Sequence, residues 1–138
     1  MTAAASLTVA YRDLFKTGSR PYLYLWVTGV NGRSGAIPGL VDSGADQVSL
    51  PDGFAPLMGY ADGDLDEIDG TGADGSATWR RARQASSAYV PEMPAHVFSF
   101  VPIFTPGDTA LWGRQDFFAT FAVSFDEPAQ RFDLTAWA

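Results

Sequence analysis

Short apolar runs recur in this chain between glycine and proline punctuation, and the runs themselves are rich in Val, Tyr, Phe, Trp and Thr. Glycine and proline end helices early, while β-branched and aromatic residues fit a pleated sheet. The chain is therefore expected to be mostly β, built from many short strands. Leu7 to Phe15 and Tyr22 to Val30 read as strands, the second with Leu23, Leu25 and Val27 on one face. Asn31-Gly32 then offers the positive φ angles of a tight hairpin, and Gly39 to Val41 reads as the end of the returning strand.

Further along, Gln47 to Leu50 is a short extended piece and Pro51 to Tyr60 has room for a turn of helix. Asp62 to Gly75 is acidic and glycine-rich and is expected to be the most mobile stretch. Ser76 to Val90, Ala95 to Phe104 and Thr109 to Trp112 read as extended, and Gln115 to Thr120 as a short helix. Phe121 to Phe125 and Arg131 to Leu134 alternate around Pro128 as a closing hairpin.

At 138 residues the chain suits one folding unit, residues 1–138, and is too short for two ordinary domains. With 46% apolar residues it has the material for a packed core, and the disordered and low-complexity classes fit it poorly. The net charge of −7 repels phosphate backbones, so nucleic acid is not an expected partner. Arg80, Arg81 and Arg83 form the one basic cluster and read as a solvated strand face. No apolar stretch approaches the roughly 20 residues of a membrane helix. The first residues lack the basic start of a secretory signal, so the expected location is cytoplasmic.

The absence of cysteine excludes thiolate ligands, disulfides and a cysteine nucleophile. His96 is the only histidine, and without a Gly-x-Ser-x-Gly elbow it reads as structural, in an apolar strand segment. Asp62, Asp64 and Asp66 alternate, but the glycine and terminal glutamate of a calcium loop are missing at the required offsets. No nucleotide-cradling glycine motif occurs, and no metal or cofactor is expected.

The residues that carry chemistry are Leu40-Val41-Asp42-Ser43-Gly44-Ala45-Asp46, an acid at the end of an apolar strand followed by a small hydroxyl residue and glycine. Taken alone, Asp-Ser-Gly is a turn whose side chain caps its own backbone. An acid at a strand end is also sensitive to its neighbours, and a second carboxylate beside it would let the pair hold one proton and act as base and acid on water. Some seventy residues later, Ala110-Leu111-Trp112-Gly113-Arg114 gives a second apolar strand ending in Gly-Arg, followed by Asp116-Phe117-Phe118.

In these motifs and their order the chain resembles the retropepsin-like aspartic peptidases, the family of retroviral proteases and their bacterial relatives, from about Tyr22 to Leu134. Leu40 to Ala45 matches the first motif, Leu111 to Arg114 the second, and Phe121 to Asp126 the closing strand of bacterial members. The resemblance implies an all-β acid-protease closed barrel with one short helix near the C-terminus. It implies a homodimer in which Asp42 meets Asp42 of a second copy and activates water against a peptide or protein substrate. Ser43, Gly44 and Ala45 would support the dyad, Gly44 and Asp46 would bind substrate backbone, and Arg114 would pair with Asp46. The flap tip is matched most loosely, with Gly70, Thr71, Gly72 and Ala73 as candidates. A non-catalytic dimeric module for peptide binding or assembly is the alternative; the intact Asp-Ser-Gly-Ala favours the enzyme.

Overall fold

The computed structural model of the protein describes residues 5–68 and 78–137. Strand β2 (Tyr22–Thr28) shows how the sequence pattern becomes structure: Leu23, Leu25 and Val27 are buried, while Tyr24 and Trp26 turn outward. It pairs antiparallel with β3 (Ser34–Val41) along its whole length, Tyr22 opposite Leu40 and Thr28 opposite Ser34. Only Gly32 of the expected Asn31-Gly32 turn adopts a positive φ, +79°. The loop is wider than a two-residue hairpin because Asn31 serves another contact. Its main-chain N–H donates to the Met58 carbonyl and its amide to the Leu57 carbonyl, which ties the loop to helix α1 (Phe54–Leu57).

The remaining strands are β1 (Ser6–Ala10), β4 (Ser49–Pro51), β5 (Leu65–Ile68), β6 (Trp79–Ala82), β7 (Ser86–Tyr89), β8 (Phe98–Phe100), β9 (Ile103–Thr105), β10 (Ala110–Trp112), β11 (Phe121–Asp126) and β12 (Arg131–Ala136). Nine of the twelve form one sheet in the order β5-β6-β9-β4-β10-β3-β2-β7-β8, and β1-β12-β11 form a second, antiparallel one. Among the described residues β5 and β8, the ends of the large sheet, do not pair. The chain is mostly β as expected, and among the described residues the strand pairing does not close the sheet into the expected barrel; large twisted sheets curl without having to close.

The short helix expected near the C-terminus is α2 (Phe117–Thr120), and α1 adds a second single turn within the Pro51–Tyr60 stretch. Turns this short do not stand alone in water, and tertiary packing holds them. Ala55 and Phe117 are buried, and Phe117 stacks against Phe98, Phe118 and Phe121. Those aromatics, with Phe132 and Leu134 of β12, join the small sheet to the core of the large one. Among the described residues no helix is long and apolar enough to cross a membrane.

Of the Asp62 to Gly75 stretch, Asp62–Asp64 form a 3-10 turn that leads into β5, and residues 69–75 lie outside the described residues. The three alternating aspartates are engaged there. Asp62 meets Arg80 at 3.3 Å, Asp64 accepts the Ala61 N–H at 2.8 Å, and Asp66 binds Arg83 at 2.7 Å. His96 lies in the turn before β8 rather than in a strand, with its N–H on the Met93 carbonyl.

Candidate active site

Strands β3 and β10 run parallel, with Gly39, Leu40 and Val41 beside Ala110, Leu111 and Trp112. The two motifs therefore end level with each other. Asp42 leaves β3 with its N–H donating to the Trp112 carbonyl at 3.2 Å, while Val41 N–H donates to the Pro21 carbonyl at 3.0 Å. The half-buried Asp42 side chain then closes the local turn: its Oδ1 accepts the Gly44 N–H at 2.8 Å, and its carbonyl accepts the Ala45 N–H at 3.3 Å. A Cβ on Gly44 would lie 3.2 Å from that Oδ1, so glycine allows the close approach.

The loop after β10 interlocks with this turn. Arg114 N–H donates to the Ala45 carbonyl and Gln115 N–H to the Asp46 carbonyl, both at 2.9 Å. Gly113 passes so close to the Gln47 backbone that a Cβ there would sit 2.4 Å from the Gln47 carbonyl oxygen. The Gln47 amide donates to the Gln115 side-chain oxygen at 3.2 Å, and Asp116 Oδ2 accepts the Val48 N–H at 3.4 Å. Burial pushes the Asp116 carboxyl above its ordinary range, and the Val48 N–H partly offsets this.

Trp112 supports the strand pair from behind. It is fully buried, and its indole N–H donates to the Leu23 carbonyl at 2.9 Å. The ring lies where a side chain on residue 39 would be, so Gly39 and the bulky Trp112 form a complementary pair.

Asp42 opens into a groove of about 480 Å³ between its own turn and the β5–β6 hairpin. Gly44, Ala45 and Asp46 line it from the turn side, and Ile68, Trp79 and Arg81 from the hairpin. Gln47, Arg81 and Gln115 also line a second space of about 440 Å³ that reaches Val101 and Asp116. The structure thus brings Asp42, Gly44, Ala45 and Asp46 to one groove, with the exposed Ser43 at its turn.

Asp46 and Arg114 share an adjoining cavity, but among the described residues their side chains form no ion pair within one chain; main-chain bonds through Ala45 and Gln115 join the two segments instead. The flap candidates Gly70, Thr71, Gly72 and Ala73 lie outside the described residues, which include the stem of that hairpin, β5 paired with β6.

Sequence reasoning missed Gln47, Ile68, Trp79, Arg81 and Gln115. The period-2 alternation of β6 could have separated Trp79 and Arg81 from Arg80, but the polar character of 76–90 read as a solvated face.

No family model matches the sequence, and no curated protein matches it. Among solved structures the chain is similar to a retropepsin-like aspartic protease from Rickettsia conorii, with a TM-score of 0.63 over 99% of this chain and 98% of that one, at 16% identity. At that identity the likeness shows a shared fold.

Proposed function

We propose that the protein is an aspartic endopeptidase that acts as a homodimer, with Asp42 of each subunit forming the catalytic dyad. The observation that carries this reading is Asp42 itself: a carboxylate at the end of the β3–β10 pair, opening into a groove roofed by a hairpin. The fold shared with a retropepsin-like protease supports it.

One chain supplies one such carboxylate, so the dyad needs a second copy. The two carboxyls hold one proton between them, since like charges at close range resist double ionisation. Water between them loses a proton to the ionised Asp42 as its oxygen bonds to the peptide carbonyl carbon. The protonated Asp42 gives its proton to the carbonyl oxygen. As the C–N bond breaks, the newly protonated Asp42 gives its proton to the leaving amine nitrogen and the other Asp42 takes one from a gem-diol hydroxyl, whose oxygen becomes the carbonyl of the new acid, so the dyad again holds one proton.

Gly44 and Asp46 hold the backbone of an extended substrate, and Ser43 braces the dyad across the two-fold axis. Arg114 of the assembled dimer pairs with Asp46, which it already neighbours in the single chain.

The test is cleavage of a diverse peptide library from about pH 4 to 7, beside Asp42→Asn, with sedimentation of both proteins. Cleavage by a dimeric wild type that is lost in a folded variant supports the mechanism. Undiminished cleavage by Asp42→Asn refutes it, and a stable dimer that cleaves nothing favours a peptide-binding module.

A further inference from the structure

The three arginines around β6 have different surroundings. Arg80 meets Asp52 at 3.5 Å and Asp62 at 3.3 Å. Arg83 forks onto both oxygens of Asp66, at 2.7 to 3.2 Å. Arg81 stands directly across from Asp66 in the β5–β6 ladder, yet that carboxylate is taken by Arg83. Among the described residues no carboxylate lies within salt-bridge distance of Arg81 and no acceptor is hydrogen-bonded to its guanidinium. The same side of the hairpin carries Trp79 and Ile68, and Arg81 lines both spaces of the groove where they meet.

The acidic groups of the groove are placed differently. Asp42 accepts from Gly44 and Asp116 accepts from Val48, while Asp46 lines the turn side of the groove and the adjoining cavity with Arg114, without an ion pair among the described residues. Among the described residues the exposed donor fork of Arg81 is thus without a carboxylate partner in the groove, and a guanidinium is matched best by a carboxylate. Beside it, Gln115 uses its side-chain oxygen on Gln47, which leaves its own amide hydrogens as further donors. An acidic peptide is repelled at a distance by a chain of net charge −7, so recognition of an acid must come from a local group of this kind.

We infer that Arg81 is a specificity-determining residue: at the junction of the two spaces it binds the side-chain carboxylate of a substrate glutamate, with Gln115 assisting. The inference rests on the groove being the peptide site proposed above. Arg81 takes no part in bond breaking; it selects which segment of a substrate lies over Asp42.

The experiment measures binding separately from cleavage. Fluorescent peptides of Ala, Val and Leu, about ten residues long, carry one glutamate walked along the sequence, each with a glutamine and a lysine counterpart. Their affinities for full-length Asp42→Asn protein are read by anisotropy. At one position glutamate is expected to bind about tenfold tighter than glutamine. Arg81→Gln in the same background removes that preference, Arg81→Lys keeps part of it, and Arg81→Glu turns it toward lysine. Absence of glutamate selectivity, absence of binding, or selectivity that survives Arg81→Gln in a folded protein would overturn the assignment. Wild-type cleavage of the same peptides is scored apart: selective binding without cleavage supports Arg81 and refutes the peptidase reading.

Discussion

The indole N–H of Trp112 donates to the carbonyl of Leu23 at 2.9 Å across the open face of Gly39. Passing over β3, this contact ties β10 to β2 in addition to the strand ladders, and β3 and β10 both end at the candidate site. A methyl on residue 39 would lie 2.3 Å from indole Cε2, and the fully buried ring has nowhere to go. Gly39→Ala is therefore expected to destabilise the protein by about 1–3 kcal/mol through overpacking. A lower urea midpoint with an unchanged slope checks it; a wild-type midpoint would mean the ring moves freely.

Gly113→Ala makes a different test, because the obstacle is main chain. The added Cβ would meet the Gln47 carbonyl oxygen at 2.4 Å and the two interlocked loops would have to separate. The bonds from Arg114 to Ala45 and from Gln115 to Asp46 hold those loops together. On the proposed peptidase reading, the variant is expected to cleave peptides at least about tenfold more slowly even where its fold survives, since displacement of about 1 Å in a reacting group has effects of that order or larger. Circular dichroism paired with peptide cleavage separates the site effect from global unfolding.

Asp116 gives a pH dependence whose sign follows from burial. Its folded-state pKa is raised, mainly by desolvation, so between the unfolded and folded values the native state binds the extra proton. Stability from this group is complete below the ordinary carboxylate range and is lost as pH rises through the folded value. Asp116→Asn keeps an oxygen for the Val48 N–H and has no charge to desolvate. The variant should melt about 1–3 °C higher than wild type near pH 7, a modest gain because the group is only partly buried, and the gap should close toward pH 4. A gap that widens on acidification would contradict the assignment.

Much of this fold is legible in the sequence because burial enforces period 2. Alternation alone places Leu23, Leu25 and Val27 on one face, and Asp42 and Gly113 mark the ends of β3 and β10. What escapes are features set by contacts distant in sequence. Asn31-Gly32 reads as a tight turn until Met58 and Leu57 compete for Asn31. The three arginines look alike in a row, and only the positions of Asp52, Asp62 and Asp66 separate Arg81 from its neighbours. Trp112 is large for a strand end in its motif, because the space that admits it is left by Gly39 on another strand. Asp46 and Arg114 line one cavity, but within one chain main-chain bonds join their segments.

The hairpin that bears Arg81 is anchored at its far end by a buried polar contact. Tyr60 donates its hydroxyl to the Gln84 carbonyl at 2.8 Å and shares a 2.7 Å hydrogen bond with Ser86 Oγ. Tyr60 and Ser86 are both almost fully buried, and the Tyr60 ring stands edge-on to Phe104. Burial also raises the phenol's pKa, so it remains a neutral donor across the physiological range. Tyr60→Phe keeps the ring packing but strands Ser86 Oγ, and is expected to cost about 1–3 kcal/mol. Because the lost bonds restrain the turn between β6 and β7, amide exchange should quicken there before it does in β2 and β3. Ser86→Ala removes the other partner, so the double variant should lose less than the sum of the two single losses. Strict additivity in that cycle would mean that the two hydroxyls do not act together, and that something other than this contact fixes the hairpin over Asp42.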